Sequence, residues 1–123
     1  MAEEMKTIMT KQVDRYQSIY YAGASLDFNP IHIDPEIGKE AGFGGVILHG
    51  LCTMSFIAEA ATKVAKDPSE IKRLKCKFSR PVKPLDTLSF SCSIDPTDEK
   101  KLSFNVTNQD EQLIIKNALV ELN

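Results

Sequence analysis

An α+β fold is predicted for this chain by three features of its residue pattern. The apolar spacing switches near Pro68, from the three- and four-residue steps of helices to strict alternation. Residues 51–66 read as one long helix with small side chains along one face. The segments after it are apolar on one side only, as in antiparallel sheets with a single packed face. A long central helix lying in the concave face of a curved antiparallel sheet satisfies all three.

Residues 5–11 suit a first strand, although their alternation is weak. Over residues 11–24 the period becomes helical, with Val13, Tyr16, Tyr20 and Ala24 on one face and Thr10 placed as N-cap. Gly23 and the Asn29-Pro30 pair then end regular structure. A second, shorter helix is expected from Asp34-Pro35, with Asp at the cap, Pro at the first helical position and Glu36 in the first turn. Gly42-Phe-Gly-Gly45 ends it, and Val46-Ile-Leu48 leads to His49-Gly50. In the long helix, Leu51, Met54, Ala58, Ala61 and Ala65 form the expected buried face, and Asp67-Pro68 closes it.

Alternation then predicts strands through Leu74, Cys76 and Phe78, through Leu88, Phe90, Cys92 and Ile94, and through Leu102, Phe104 and Val106, with a last strand over 112–122. Turns rich in Pro, Asp, Asn and Lys separate them at 80–86, 95–101 and 108–111. With no repeats, low-complexity tracts or linkers, residues 1–123 are expected to form one domain. A sheet of this kind has two edges, and pairing one against a second copy predicts a homodimer or higher homo-oligomer.

The bulk numbers narrow the class. A chain of 123 residues, 42% apolar and 26% charged, is long enough to bury a core and has an ordinary globular composition. A net charge of −2 gives no electrostatic reason to expect nucleic acid. No apolar stretch approaches the ~20 residues of a membrane span. The start shows no secretory pattern, because no apolar run follows the acidic opening. Cys52, Cys76 and Cys92 are odd in number and far apart, which fits reduced thiols in a cytoplasmic protein rather than a disulfide framework. They read as small apolar core residues, and no zinc-ligand spacing is present.

The chemistry concentrates in Ser25-Leu-Asp-Phe-Asn-Pro-Ile-His32. Asp27 and His32 stand five residues apart around Asn29-Pro30, where proline fixes its own φ and biases Asn29 toward extended backbone. The turn is a short rigid bridge between two proton-handling groups, which suits acid–base work on a small substrate.

Residues 21–35 (Tyr21-Ala-Gly-Ala-Ser-Leu-Asp-Phe-Asn-Pro-Ile-His-Ile-Asp-Pro35), followed by Gly45-Val-Ile-Leu-His-Gly-Leu51, resemble the hydratase motif of MaoC-like dehydratases. That family comprises hot-dog-fold (R)-specific enoyl-CoA hydratases and 3-hydroxyacyl-thioester dehydratases. The match is close over residues 20–55, and the later strand pattern is compatible with it. The resemblance implies a hot-dog fold and a catalytic pair at Asp27 and His32. It further implies a thioester carbonyl held by the Gly50 backbone amide, and Asn29 in support of the site. It also implies a dimer or larger assembly with sites near the subunit interface, and an acyl thioester of coenzyme A or acyl carrier protein as substrate. Two positions depart from the pattern. Leu26 stands where many relatives carry Gly, and Ala58 stands where some carry Ser.

Hydrating a 2-enoyl thioester requires a base for water, a proton for the α-carbon and a donor for the thioester oxygen. Asp27 and His32 can supply the first two. Gly50, at the start of the long helix, offers an unpaired N–H without a side chain in the way. No cofactor is needed. His49 reads as a buried or capping histidine rather than a proton donor, and Ser55 as packing. Lys72, Arg73, Lys75, Lys77, Arg80 and Lys83 form a basic run. It reads first as the solvated face of a strand and turn, and alternatively as a landing patch for coenzyme A phosphates or an acidic carrier, with Lys72, Arg73 and Arg80 as candidate contacts. Two rivals remain: a hot-dog thioesterase using Glu59 on the long helix, and a non-catalytic acyl-thioester-binding partner subunit of a heteromeric dehydratase.

Overall fold

The computed structural model describes residues 5–123. Five strands form one antiparallel sheet: β1 (Lys6–Gln12), β2 (Ile71–Lys75), β3 (Thr87–Asp95), β4 (Asp98–Thr107) and β5 (Leu113–Leu122), in the order β1-β3-β4-β5-β2. Between β1 and β2 the chain forms α1 (Gln17–Ser25), α2 (Pro30–Ile33), α3 (Pro35–Glu40) and the long α4 (Gly50–Ala65). Among the described residues, no helix is long and apolar enough to cross a membrane.

Alternation places Leu88, Phe90 and Cys92 of β3, Leu102, Phe104 and Val106 of β4, and Ala118 and Val120 of β5 in a common core with α4. The register pairs Phe90 with Val106, Cys92 with Phe104, and Phe104 with Ala118. From α4 come Cys52, Phe56, Ile57, Ala60 and Ala61, the two alanines completely buried. Small side chains at 60 and 61 let the helix axis approach the sheet, as the sequence suggested. The face is rotated from the expected one, however. Of Leu51, Met54, Ala58, Ala61 and Ala65, only Ala61 is in the core, and Leu51 is 67% exposed. Apolar residues extend beyond a single stripe of the helix, away from Ser55, Glu59 and Lys63, and the sheet took the face carrying Phe56 and Ile57.

The first helix also starts later than expected. β1 continues to Gln12 because residues 10–12 pair with Thr87–Ser89 of β3. Val13 then closes a two-way backbone exchange, its N–H donating to Asp86 (2.8 Å) while its carbonyl accepts from Leu85 (2.9 Å). Thr10 is therefore a strand residue and not an N-cap. The buried residues of α1 are Ser18 and Ala22, whereas Tyr16 and Tyr20 are exposed.

Of the other expectations, the cap and end of α3 hold, while two strand boundaries shift. Asp34 caps α3, its Oδ1 accepting from the Glu36 amide at 3.0 Å. The glycine cluster ends that helix, with Gly42 and Gly44 at φ +92° and +79°. The strand through Leu74 is regular only to Lys75; Phe78 makes an isolated bridge to Ile115, and the Ser79 N–H donates to Ile114 (2.8 Å). The β3–β4 turn is tighter than the predicted span 95–101, since β4 already begins at Asp98. The three cysteines are free thiols, with Cys52 and Cys92 buried.

Candidate active site

Four local structures place the candidate groups together. Helix α1 ends at Leu26, which adopts left-handed backbone (φ 63°, ψ 19°) as its C-cap. That conformation is the one glycine takes without strain, which explains why Gly suits this position and why Leu26 is a real departure. The chain then turns through Asp27, whose Oδ1 accepts from the Asn29 amide at 3.2 Å. Asn29 in turn caps α2, its Oδ1 accepting from the Ile31 amide at 3.3 Å, with Pro30 at the first helical position. Helix α2 is a single turn where the sequence pattern predicts loop, and it carries His32. Asn29 thus caps the turn on which the histidine sits.

His32 is buried, and its Nδ1 lies 2.8 Å from the carbonyl oxygen of Ile47. A carbonyl only accepts, so Nδ1 carries the proton and Nε2 of the neutral ring keeps its lone pair. Gly50 is the first residue of α4, so its N–H has no acceptor inside the helix. A Cβ added there would lie 3.1 Å from Cε2 and 3.3 Å from Cζ of Phe78, so the aromatic ring packs directly against the glycine.

Two cavities meet at this point. One, of about 430 Å³, is lined by Tyr21, Asp27, His32, Gly50, Leu51 and Met54, among others. The other, of about 320 Å³, is lined mainly by apolar groups including Phe43, Ile47, Leu48 and Val82, with Arg80 also on its wall. His32, Gly50 and Phe78 belong to both. The apolar stripe of α4 that the sheet leaves uncovered, at Leu51 and Met54, therefore forms part of the candidate site. Ala58 is half-buried and lines neither cavity.

His49 is buried at the N-cap of α4, as expected of it, and it also touches both Asp27 and His32. It is 2% exposed and its ring stacks on His32, with centroids 3.8 Å apart and planes 22° apart. Its Nε2 lies 2.9 Å from the Asp27 carbonyl oxygen and so must donate to it. Its Nδ1 finds no hydrogen-bond partner among the described residues. Only the His-Gly dipeptide hinted at this in the sequence. Asp27, His32 and His49 each offer a ligand atom within 4.8 Å of the others. Near-parallel stacked imidazoles project their in-plane lone pairs side by side, however, rather than toward one ion at the ~2 Å that metal ligation needs.

The basic run does not gather at the site. Arg80 lines the apolar cavity, while Lys72 lines a separate cleft with Lys100, Lys101 and Glu121. Arg73 lies opposite Glu121 in the β2–β5 pairing. Glu59 forms a 2.8 Å ion pair with Lys11 and lines neither cavity, and the Ser55 hydroxyl bonds back to the Cys52 carbonyl.

A helix packed on a five-stranded antiparallel sheet, with Asp27 and His32 gathered near the helix N-terminus, defines a hot-dog domain. Comparison with known proteins agrees. The MaoC like domain matches residues 1–114, and the chain belongs to that family. It is 35% identical over 106 residues to a probable enoyl-CoA hydratase 2 of Dictyostelium discoideum, covering 84% of this chain and 35% of that protein. It is 42% identical over 84 residues to the peroxisomal enoyl-CoA hydratase 2 of Arabidopsis thaliana, covering 67% of this chain and 27% of that one. The crystal structure of a MaoC-like dehydratase from Phytophthora capsici superposes with a TM-score of 0.85 at 26% identity, covering 100% of this chain and 42% of the other. The chain thus spans about a third or less of the length of the curated relatives it matches.

Proposed function

We propose that this protein interconverts trans-2-enoyl thioesters and (R)-3-hydroxyacyl thioesters of coenzyme A or acyl carrier protein. The observation that carries the reading is the meeting of His32 and Gly50 on the walls of both cavities, with Asp27 beside them in one. The reacting end of an enoyl thioester needs those three groups together. Hydratase relatives by name, and family membership over nearly the whole chain, support it.

Water held between the Asp27 carboxylate and His32 Nε2 attacks the β-carbon. The new C–O bond forms as the water O–H breaks, its proton passing to the dyad while electrons move through the double bond onto the thioester oxygen. The Gly50 N–H donates to that oxygen, in an interaction worth about 3–4 kcal/mol when the donor is preorganised. The dyad then returns one proton to the α-carbon, and dehydration is the reverse path. Asp27 belongs to one cavity alone, so the β-carbon and acyl tail lie on the Leu51–Met54 side. The carrier leaves past Arg80, whose guanidinium suits an anionic partner.

A homodimer is part of the same proposal, supported by the exposed apolar groups around the site mouth, Leu26, Phe28 and Leu51. Three free thiols support a reducing, cytoplasmic setting. The test is incubation with trans-2-butenoyl-CoA, following loss of the conjugated-thioester absorbance and the chirality of the product. Formation of the (R)-alcohol supports the proposal. Release of free coenzyme A without hydration would sink it in favour of a thioesterase.

A further inference from the structure

We propose that His49 is the positioning residue that sets where Asp27 stands relative to His32. Residues 26–29, which join α1 to α2, are all exposed. Apart from its contact with His49, Asp27 hydrogen-bonds, among the described residues, only two residues away: its amide donates to Ser25 Oγ (3.2 Å), and its carboxylate accepts from the Asn29 amide (3.2 Å). Such local bonds shape the loop without anchoring it to the body of the protein.

The anchor is the bond from His49 Nε2–H to the Asp27 carbonyl, spanning 22 positions at 2.9 Å. His49 is itself immobilised. It is the N-cap residue of α4, is almost fully buried, and packs against Tyr21 with ring centroids 4.7 Å apart. Its ring also lies flat on His32, whose edge is tied to Ile47. One side chain therefore touches both halves of the dyad, the main chain of one and the ring face of the other. His49 also lines the cavity that holds Asp27 and His32, and through these two contacts it acts by geometry. A loop displacement near ~1 Å at a reacting group can cost on the order of 10²-fold in rate.

Two substitutions separate the contacts. His49→Phe keeps a flat ring against His32 and removes the donor, whereas His49→Gln keeps a donor amide and removes the ring. With trans-2-butenoyl-CoA, His49→Phe should lower kcat by about 10²-fold while KM changes by less than about threefold. His49→Gln should retain kcat within about tenfold of the parent. The kinetic arm rests on the hydratase reading, so a second arm uses no substrate. Backbone ¹⁵N relaxation should show residues 26–28 loosening in His49→Phe, with order parameters falling from about 0.85 toward about 0.6, and staying ordered in His49→Gln. If wild type proves inactive on enoyl thioesters, the hydratase reading fails while the relaxation arm still decides the role of His49. Unchanged loop dynamics in a folded His49→Phe would overturn the proposal, as would a loss expressed in KM alone. Should His49→Phe not fold, His49→Gln decides: an ordered loop and retained kcat support the role, and a mobile loop refutes it.

Discussion

The Nδ1–H of His32 donates to the carbonyl oxygen of Ile47 across 2.8 Å, so the tautomer of the candidate base is set by the loop between α3 and α4. That loop is packed against α3 with no room to spare. A Cβ at Gly38 would fall 1.9 Å from the Gly45 carbonyl oxygen, a backbone atom that cannot swing aside. Gly38→Ala should therefore destabilise by about 2–3 kcal/mol. It should also displace the Ile47 carbonyl and lower kcat more than a remote substitution of equal destabilisation. Urea melts and steady-state kinetics on the same preparation check both.

Gly50→Ala meets a different neighbour, the edge of Phe78, which is 42% exposed and free to move. Its stability cost should be small, below about 1 kcal/mol, because a flexible ring end yields more readily than backbone. The methyl group would still crowd the carbonyl position at the amide, so kcat should fall by about tenfold or more. Adding Phe78→Ala should not restore the rate. Recovery in the double variant would mean that Phe78, and not access to the N–H, governs the site.

Leu26 holds left-handed backbone while leaving 77% of its surface exposed, so it bears strain with little burial in return. Leu26→Gly should stabilise the protein by about 1 kcal/mol, raising Tm by a few degrees, with turnover unchanged. A lower Tm would show that Leu26 is covered in the working assembly, as the dimer proposal allows near the site mouth.

Burial pushes the Cys92 thiol from its ordinary 9.0 up to about 11. A pKa raised in the folded state means that the neutral thiol is favoured there, so its contribution is intact below pH 9 and is lost as pH rises toward 11. Stability should fall over that window, and Cys92→Ala should show a shallower fall. Denaturant melts at stepped pH values compare the two slopes.

The strands were legible because one packed face enforces alternation, and Leu88–Cys92 and Leu102–Val106 carry it without interruption. The boundary of α1 was not legible. Residues 11–13 fit a helical period, but their pairing with β3 and the Val13–Asp86 exchange are long-range contacts that outweigh local preference. The buried face of α4 was ambiguous for a related reason: two apolar stripes serve two purposes, one the core and one the cavity. That Asp27, His32 and Gly50 lie close together was readable from spacing and resemblance. The coupling of His49 to both members of the pair was not, since it depends on a ring stack between α2 and the start of α4. Lys72 and Arg80 are close in the basic run yet line different clefts, because the turn after β2 carries them apart.

The central claim is that Asp27 and His32 together perform the proton transfers, and the most direct measurement is kcat for Asp27→Asn and His32→Gln on trans-2-butenoyl-CoA, with circular dichroism confirming each fold. Each variant should lose at least about 10³-fold in kcat, with the double variant scarcely worse than either, because the two act as one unit. A folded variant of either kind that keeps turnover within about tenfold of wild type would contradict the assignment.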